Sequence, residues 1–136
     1  MYLTYRPEGS EEPTRWKYDP KRLMSPEMER LERLTGLTYA EFVRDVQKGS
    51  SLCRRALLYV FKKRQHPTLK FEDVSYAWGE LEFEFSKSEL QEMRTEAAEN
   101  TAADQRDAVL AKFDEEIAAA YDDTESEGKA PRPSEG

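Results

Sequence analysis

The chain has 136 residues, of which 38% are apolar and 36% charged, with a formal net charge of −7. That length fits one domain with appendages around a small core. A single cysteine excludes an internal disulfide or a cysteine metal cluster, and the absence of any run of about 18 apolar residues excludes a helical membrane span.

The charge is unevenly placed. Residues 1–88 carry 16 basic and 14 acidic side chains, a balance of +2, whereas residues 89–136 carry 5 and 14, a balance of −9. An acidic end repels nucleic acid and anionic lipid and helps keep a sticky protein in solution. Met1 to Arg6 lacks a charged-then-apolar leader pattern, so the chain is expected to stay in the cytosol where it is made.

Taken in chain order, Tyr2-Leu3-Thr4-Tyr5 and Arg15-Trp16-Lys17-Tyr18 flank a turn-rich stretch from Pro7 to Pro13. They predict a two-stranded hairpin with a long loop. A lone hairpin is marginal, so it must pack on something, with Trp16 as the expected anchor. Ser25-Pro26 predicts a helix start, with Ser25 as cap and Pro26 at the first helical position, and Gly36 predicts its stop. Thr38 and Glu41 have capping-box spacing and open a helix to about Lys48 before Gly49. Tyr39, Phe42, Val43 and Val46 share one face of it. Ser50 or Ser51 caps a third helix running to about Gln65. Leu52, Cys53, Ala56, Leu57, Tyr59, Val60 and Phe61 cover more than half its circumference, which makes it the centre of the core.

Phe71 to Val74 reads as a short helical turn. Leu81-Glu82-Phe83-Glu84-Phe85 alternates strictly and predicts a strand. Ser86 and Glu89 form a second capping box ahead of Leu90 and Met93. Leu110, Phe113, Ile117 and Tyr121 predict a weak amphipathic helix over 103–121. The expected fold is therefore mainly α: a compact helical domain over residues 1–95 with a short N-terminal β-hairpin and one short strand. An Ala/Glu-rich, weakly helical extension follows over 96–121. Residues 122–136 hold no core-forming side chains and are expected to be a disordered acidic tail.

Little in the chain suggests catalysis. His66, the only histidine, sits in a helix-ending Gln65-His66-Pro67-Thr68 loop and reads as a surface residue. Cys53 among Leu52, Ala56 and Leu57 reads as a small buried residue. No histidine pair, His/Cys cluster, closely spaced Asp motif or glycine-rich phosphate loop stands out, so no catalytic residue, metal or cofactor is expected. Glu82 and Glu84 read as the wet face of a strand. Arg54, Arg55, Lys62, Lys63 and Arg64 are a basic cluster. It could be a phosphate-binding patch, but in a nearly neutral domain it reads better as a solvated helix face or a dock for the chain's own acidic tail. The large apolar groups exceed what so small a body needs inside. A partly open groove for an amphipathic partner helix is expected, with Tyr59, Tyr76 and Trp78 as candidate contacts.

The order of several segments resembles a known family. These are Arg15 to Pro20 (RWKYDP), Ser25 to Phe42 (SPEMERLERLTGLTYAEF), Arg54 to Arg64 (RRALLYVFKKR), His66 to Val74 (HPTLKFEDV) and Gly79 to Glu84 (GELEFE). Together they resemble the tail assembly chaperones of long-tailed, siphovirus-type phages that infect actinobacteria, over roughly residues 14–85. The resemblance implies a protein that binds the long, helical, aggregation-prone tape measure protein in the host cytoplasm and is absent from the mature virion. It also implies a longer form made by programmed ribosomal frameshifting, which would be a second partner. A backward slip of one base on a run of three G followed by A residues encodes Gly-Lys, and Gly128-Lys129 stands seven residues before the end. Gly-Lys is also an ordinary dipeptide in such a tail. The alternative from another class is a virion structural protein, such as a connector or minor tail component. A DNA-associated regulator ranks below it, and an enzyme last.

Overall fold

The computed structural model describes residues 1–122. The expected acidic tail, apart from Asp122, and the Gly128-Lys129 pair lie outside the described residues. The chain divides into two compact units, Tyr2–Phe83 and a second made of Met1 with the chain from Glu84 onward. The division falls before the helix that begins at Lys87, whereas the sequence placed a boundary at 95, inside that helix.

In the first unit, β1 (Tyr2–Tyr5) and β2 (Thr14–Lys17) form the expected antiparallel hairpin, with Tyr2 opposite Lys17 and Tyr5 opposite Thr14. β3 (Leu81–Glu84) is the expected strand, and it joins the hairpin to give the order β2-β1-β3. The Arg6 N–H donates to the Glu80 carbonyl at 2.7 Å and continues that pairing past β1. Leu3 and Tyr18 are fully buried. Trp16, the expected anchor, is only half-buried and stacks on Phe61 at 5.9 Å. The hairpin is anchored instead by Tyr18, whose ring meets Phe61 edge-on at 6.0 Å. Its hydroxyl donates to Tyr39 Oη at 3.1 Å, since the Tyr39 proton is given to the Pro20 carbonyl at 2.8 Å.

α1 (Ser25–Thr35) ends at Gly36 in the left-handed region, as expected. Its start differs: Met24 holds the capping position, Ser25 is already helical, and no side chain caps the end. Pro26, which lacks an N–H, removes one of the donors that a cap would have served. α2 (Tyr39–Lys48) opens on the full Thr38/Glu41 capping box and closes at left-handed Gly49. α3 (Ser51–Lys63) is capped by Ser50 Oγ, which accepts from the Cys53 N–H at 3.2 Å. It stops two residues before the expected end because Arg64 and Gln65 turn more tightly onto Phe61 and Lys62. Cys53, Ala56, Leu57, Leu58, Tyr59, Val60 and Phe61 are buried, so α3 is the centre of the core. Single 3₁₀ turns follow at Phe71–Asp73, as expected, and at Trp78–Glu80.

In the second unit, α4 (Lys87–Asn100) opens on the expected Ser86/Glu89 capping box. The Met1 amine donates to the Glu89 carboxylate at 2.9 Å. α5 (Ala103–Ala119) is the expected helix of the extension, and Arg94 pairs with Asp114 at 2.8 Å between the two. Leu90 is buried, but no residue of α5 is.

Candidate partner-binding groove

An open cleft of about 370 Å³ lies beside the first turns of α3, lined by Ser51, Leu52, Arg55, Ser75, Tyr76 and Trp78. Two of the three sequence-proposed contact residues, Tyr76 and Trp78, are therefore neighbours on one surface. The third is not. Tyr59 is buried, its hydroxyl donates to the Leu69 carbonyl at 3.2 Å, and its ring meets Phe71 edge-on at 5.5 Å. Its place on the central face of α3 makes it a core residue.

The cleft is built from the ends of elements. Trp78 opens its 3₁₀ turn, which Glu80 holds closed by accepting the Ala77 N–H at 2.7 Å and the Glu8 N–H at 2.8 Å. Those two backbone donors hold the Glu80 carboxyl below its ordinary range. The indole lies over the α2–α3 corner, where a Cβ on Gly49 would stand 3.4 Å from its ring. The Arg54 guanidinium sits 4.8 Å from the Trp78 ring centre and 5.1 Å from that of Phe83. Tyr76 donates its hydroxyl proton to the Ser51 carbonyl at 3.1 Å. Burial pushes that hydroxyl above its ordinary pKa, and the Arg54 charge pulls the other way.

Trp78 is 58% exposed and Leu52 43% exposed. The sequence put Leu52 in the core. At the second position of α3 it lies before the buried run that starts at Cys53, and it lines the cleft with Ser75, Tyr76 and Trp78. Its position one or two residues after a capping serine was the available signal.

The side chains of the basic cluster are engaged within their own unit, with Arg64 the most exposed of them. Arg54 donates from Nε to the Val46 carbonyl at 3.0 Å. Arg55 donates to the Val74 and Phe71 carbonyls at 2.6 and 2.8 Å, and its guanidinium covers the Phe71 ring at 4.0 Å. Lys62 sits over Tyr5 at 5.2 Å. Lys63 donates to the Pro67 and Leu69 carbonyls. Arg64 grips the Glu27 carboxylate with two bonds of 2.8 and 2.7 Å, which raises its pKa. Each cation ties α3 to another part of its own unit, through backbone carbonyls, the Glu27 carboxylate or an aromatic ring.

No family model matches this chain, and no curated protein or solved structure is significantly similar to it. The groove must therefore be read from its own chemistry. Among the described residues no three His, Cys, Asp or Glu side chains gather as metal ligands, and His66 is exposed in its loop. Cys53 is buried, as its neighbours implied. Glu82 and Glu84 are exposed along β3. Among the described residues, no helix is long and apolar enough to cross a membrane. What the cleft offers is apolar surface with hydroxyl and guanidinium groups at its edge, an arrangement suited to holding side chains of another protein.

Proposed function

We propose that this protein is a phage tail assembly chaperone, which binds the tape measure protein and keeps it soluble while the tail is built. It acts in the host cytoplasm and leaves before the virion is complete. The resemblance over roughly residues 14–85 supports this reading. The observation that carries it on the structural side is the pair Trp78 and Leu52, large apolar side chains facing solvent on a frame fixed by caps and arginine bonds. A body with so small an interior gains by burying such groups, so their exposure points to a partner. An amphipathic helix laid in the cleft would cover them.

A frameshift-extended form is part of the same proposal. Codons 128 and 129 reading GGA-AAA or GGA-AAG after a G, with an open frame overlapping there, support it, whereas GGC-AAG without such a frame removes it. The main test is co-expression with the tape measure protein of the same phage. The long protein should stay in the soluble fraction and co-purify with this chain, and this chain should be missing from purified virions. Equal precipitation of the tape measure protein with and without this chain overturns the reading. Recovery of this chain from purified virions replaces it with a structural role.

A further inference from the structure

We infer that the groove selects a segment that carries a carboxylate next to a bulky apolar side chain, an acidic amphipathic turn or helix of the partner. The inference rests on the binding role proposed above and adds the chemistry that the bound segment must have.

The apolar half of the requirement comes from Trp78 and Leu52, which leave an uncovered hydrocarbon and indole surface on either side of the cleft. The acidic half comes from charge. Arg55 is the only charged residue among the six that line the cleft. Arg54 lies directly behind, against the Trp78 ring. Among the described residues neither arginine is ion-paired with a carboxylate; their hydrogen bonds go to neutral carbonyls, of Val46, Gln47, Phe71 and Val74. Carbonyl acceptors, even the Val46 and Gln47 pair at the negative end of α2, offset only part of a guanidinium's charge. The cleft also sits at the start of α3, a helix of 13 residues whose first turn has Ser51 and Leu52 on the lining. A helix start carries partial positive charge, so it adds to the arginines. A lysine-bearing segment would meet two guanidiniums and a helix dipole of its own sign. A carboxylate would meet the opposite sign, with the Ser51 and Ser75 hydroxyls at the rim as further donors.

The protein's own acidic end does not meet both requirements. Residues 122–136 hold carboxylates, but their only apolar side chains are Ala130, Pro131 and Pro133. A second copy docked groove against groove does not answer the charge either, since each groove repeats the positive character. A partner segment with both features does.

The test uses the full chain and three labelled peptides of one amphipathic sequence with Leu and Phe anchors, whose flanking positions are Glu, Gln or Lys. Fluorescence anisotropy gives the affinities in low and moderate salt. The Glu peptide should bind at least about fivefold tighter than the Lys peptide, with Gln between them and the gap narrowing in salt. Trp78→Ala should abolish binding of all three. Leu52→Ser, a second exposed position, should weaken each by a similar factor, with circular dichroism unchanged for both variants. Equal or tighter binding of the Lys peptide overturns the charge selection. Undiminished binding to folded Trp78→Ala overturns the site. If either occurs while the tape measure protein still stays soluble with this chain, the inference fails and the chaperone role survives. If the Glu peptide binds through Trp78 but the tape measure protein is not bound, the inference survives and the chaperone role fails.

Discussion

Arg54 donates to the Val46 carbonyl at 3.0 Å and to the Gln47 carbonyl at 3.5 Å, near the end of α2. The last carbonyls of a helix have no partner inside it, and a cation there also meets the negative end of the helix dipole. Arg54 is therefore tied to the end of α2, and Arg54→Ala is not a neutral change. The variant should lose about 1–3 kcal/mol, the range for a charge-assisted bond to buried groups. A lower urea midpoint with an unchanged slope would show it. Arg54→Lys keeps the charge but loses the planar fork, so it should recover only part of the loss. A different residue-scale effect lies in the tyrosines. Burial raises the Tyr18 hydroxyl well above its ordinary value of 10.0, with the hydrogen bond to Tyr39 acting in the same direction. The sign follows directly. The native state keeps a proton that the unfolded chain releases, so the contribution is complete below about pH 10 and is lost as pH rises above it. Unfolding midpoints in urea should fall from pH 9 to pH 11, and Tyr18→Phe should show a shallower fall. An equal fall in that variant would assign the alkaline loss to other groups.

At the scale of elements, two glycines end helices in ways that should be separable. Gly36 has φ of 73° with open space where a Cβ would stand. Gly49 has φ of 103° and faces the Trp78 ring. Gly36→Ala should cost about 1–2 kcal/mol for placing a Cβ in the left-handed region. Gly49→Ala should cost more, since its φ lies farther from what alanine adopts and the indole must also give way. It should also shift tryptophan emission, which Gly36→Ala should leave alone. Such helix ends were legible in the sequence because caps are local: Thr38 with Glu41 and Ser86 with Glu89 are three residues apart, and a glycine stop needs no distant partner. The alternation from Leu81 to Phe83 was legible for the same reason. What the sequence did not reveal depends on tertiary placement. Trp16 and Tyr18 are two residues apart and both rings meet Phe61, yet only Tyr18, just past the end of β2, is fully buried. Tyr59 and Tyr76 are both tyrosines near apolar residues, yet one lies over the packed face of α3 and the other on a loop at its end. Leu52 and Leu58 have the same propensity, but only Leu58 has neighbours on every side. The clamping roles of Arg54 and Arg55 reach residues 8 and 19 positions away, beyond any local pattern.

At the scale of the molecule, burial is concentrated in one place. Of the 15 buried apolar residues among those described, all but Leu90 belong to Tyr2–Phe83. α3 contributes seven of them from 13 residues, whereas α5 contributes none from 17. Regular hydrogen bonding along a helix does not by itself resist opening in water, because most helical stability comes from a packed face. Amide exchange should therefore report two levels of protection. Amides of α3 should exchange only through global unfolding, and those of α5 through local opening, at rates faster by orders of magnitude. Fragments give a second reading of the same argument. A fragment of residues 1–86 retains β1, β2, β3 and α1 to α3 with their core, and should unfold cooperatively in urea. It lacks Glu89, so the bond from the Met1 amine is lost, and its midpoint should be lower than that of the full chain. A peptide of residues 84–122 keeps both helices and the Arg94–Asp114 pair, which is exposed and contributes about 0–1 kcal/mol. Ordering its backbone costs on the order of 1 kcal/mol per residue. With Leu90 as its only buried apolar side chain, the peptide should show little helix by circular dichroism at 25 °C. A strongly helical peptide with a sharp thermal transition would show that α4 and α5 sustain themselves, and that stability does not follow burial in this protein.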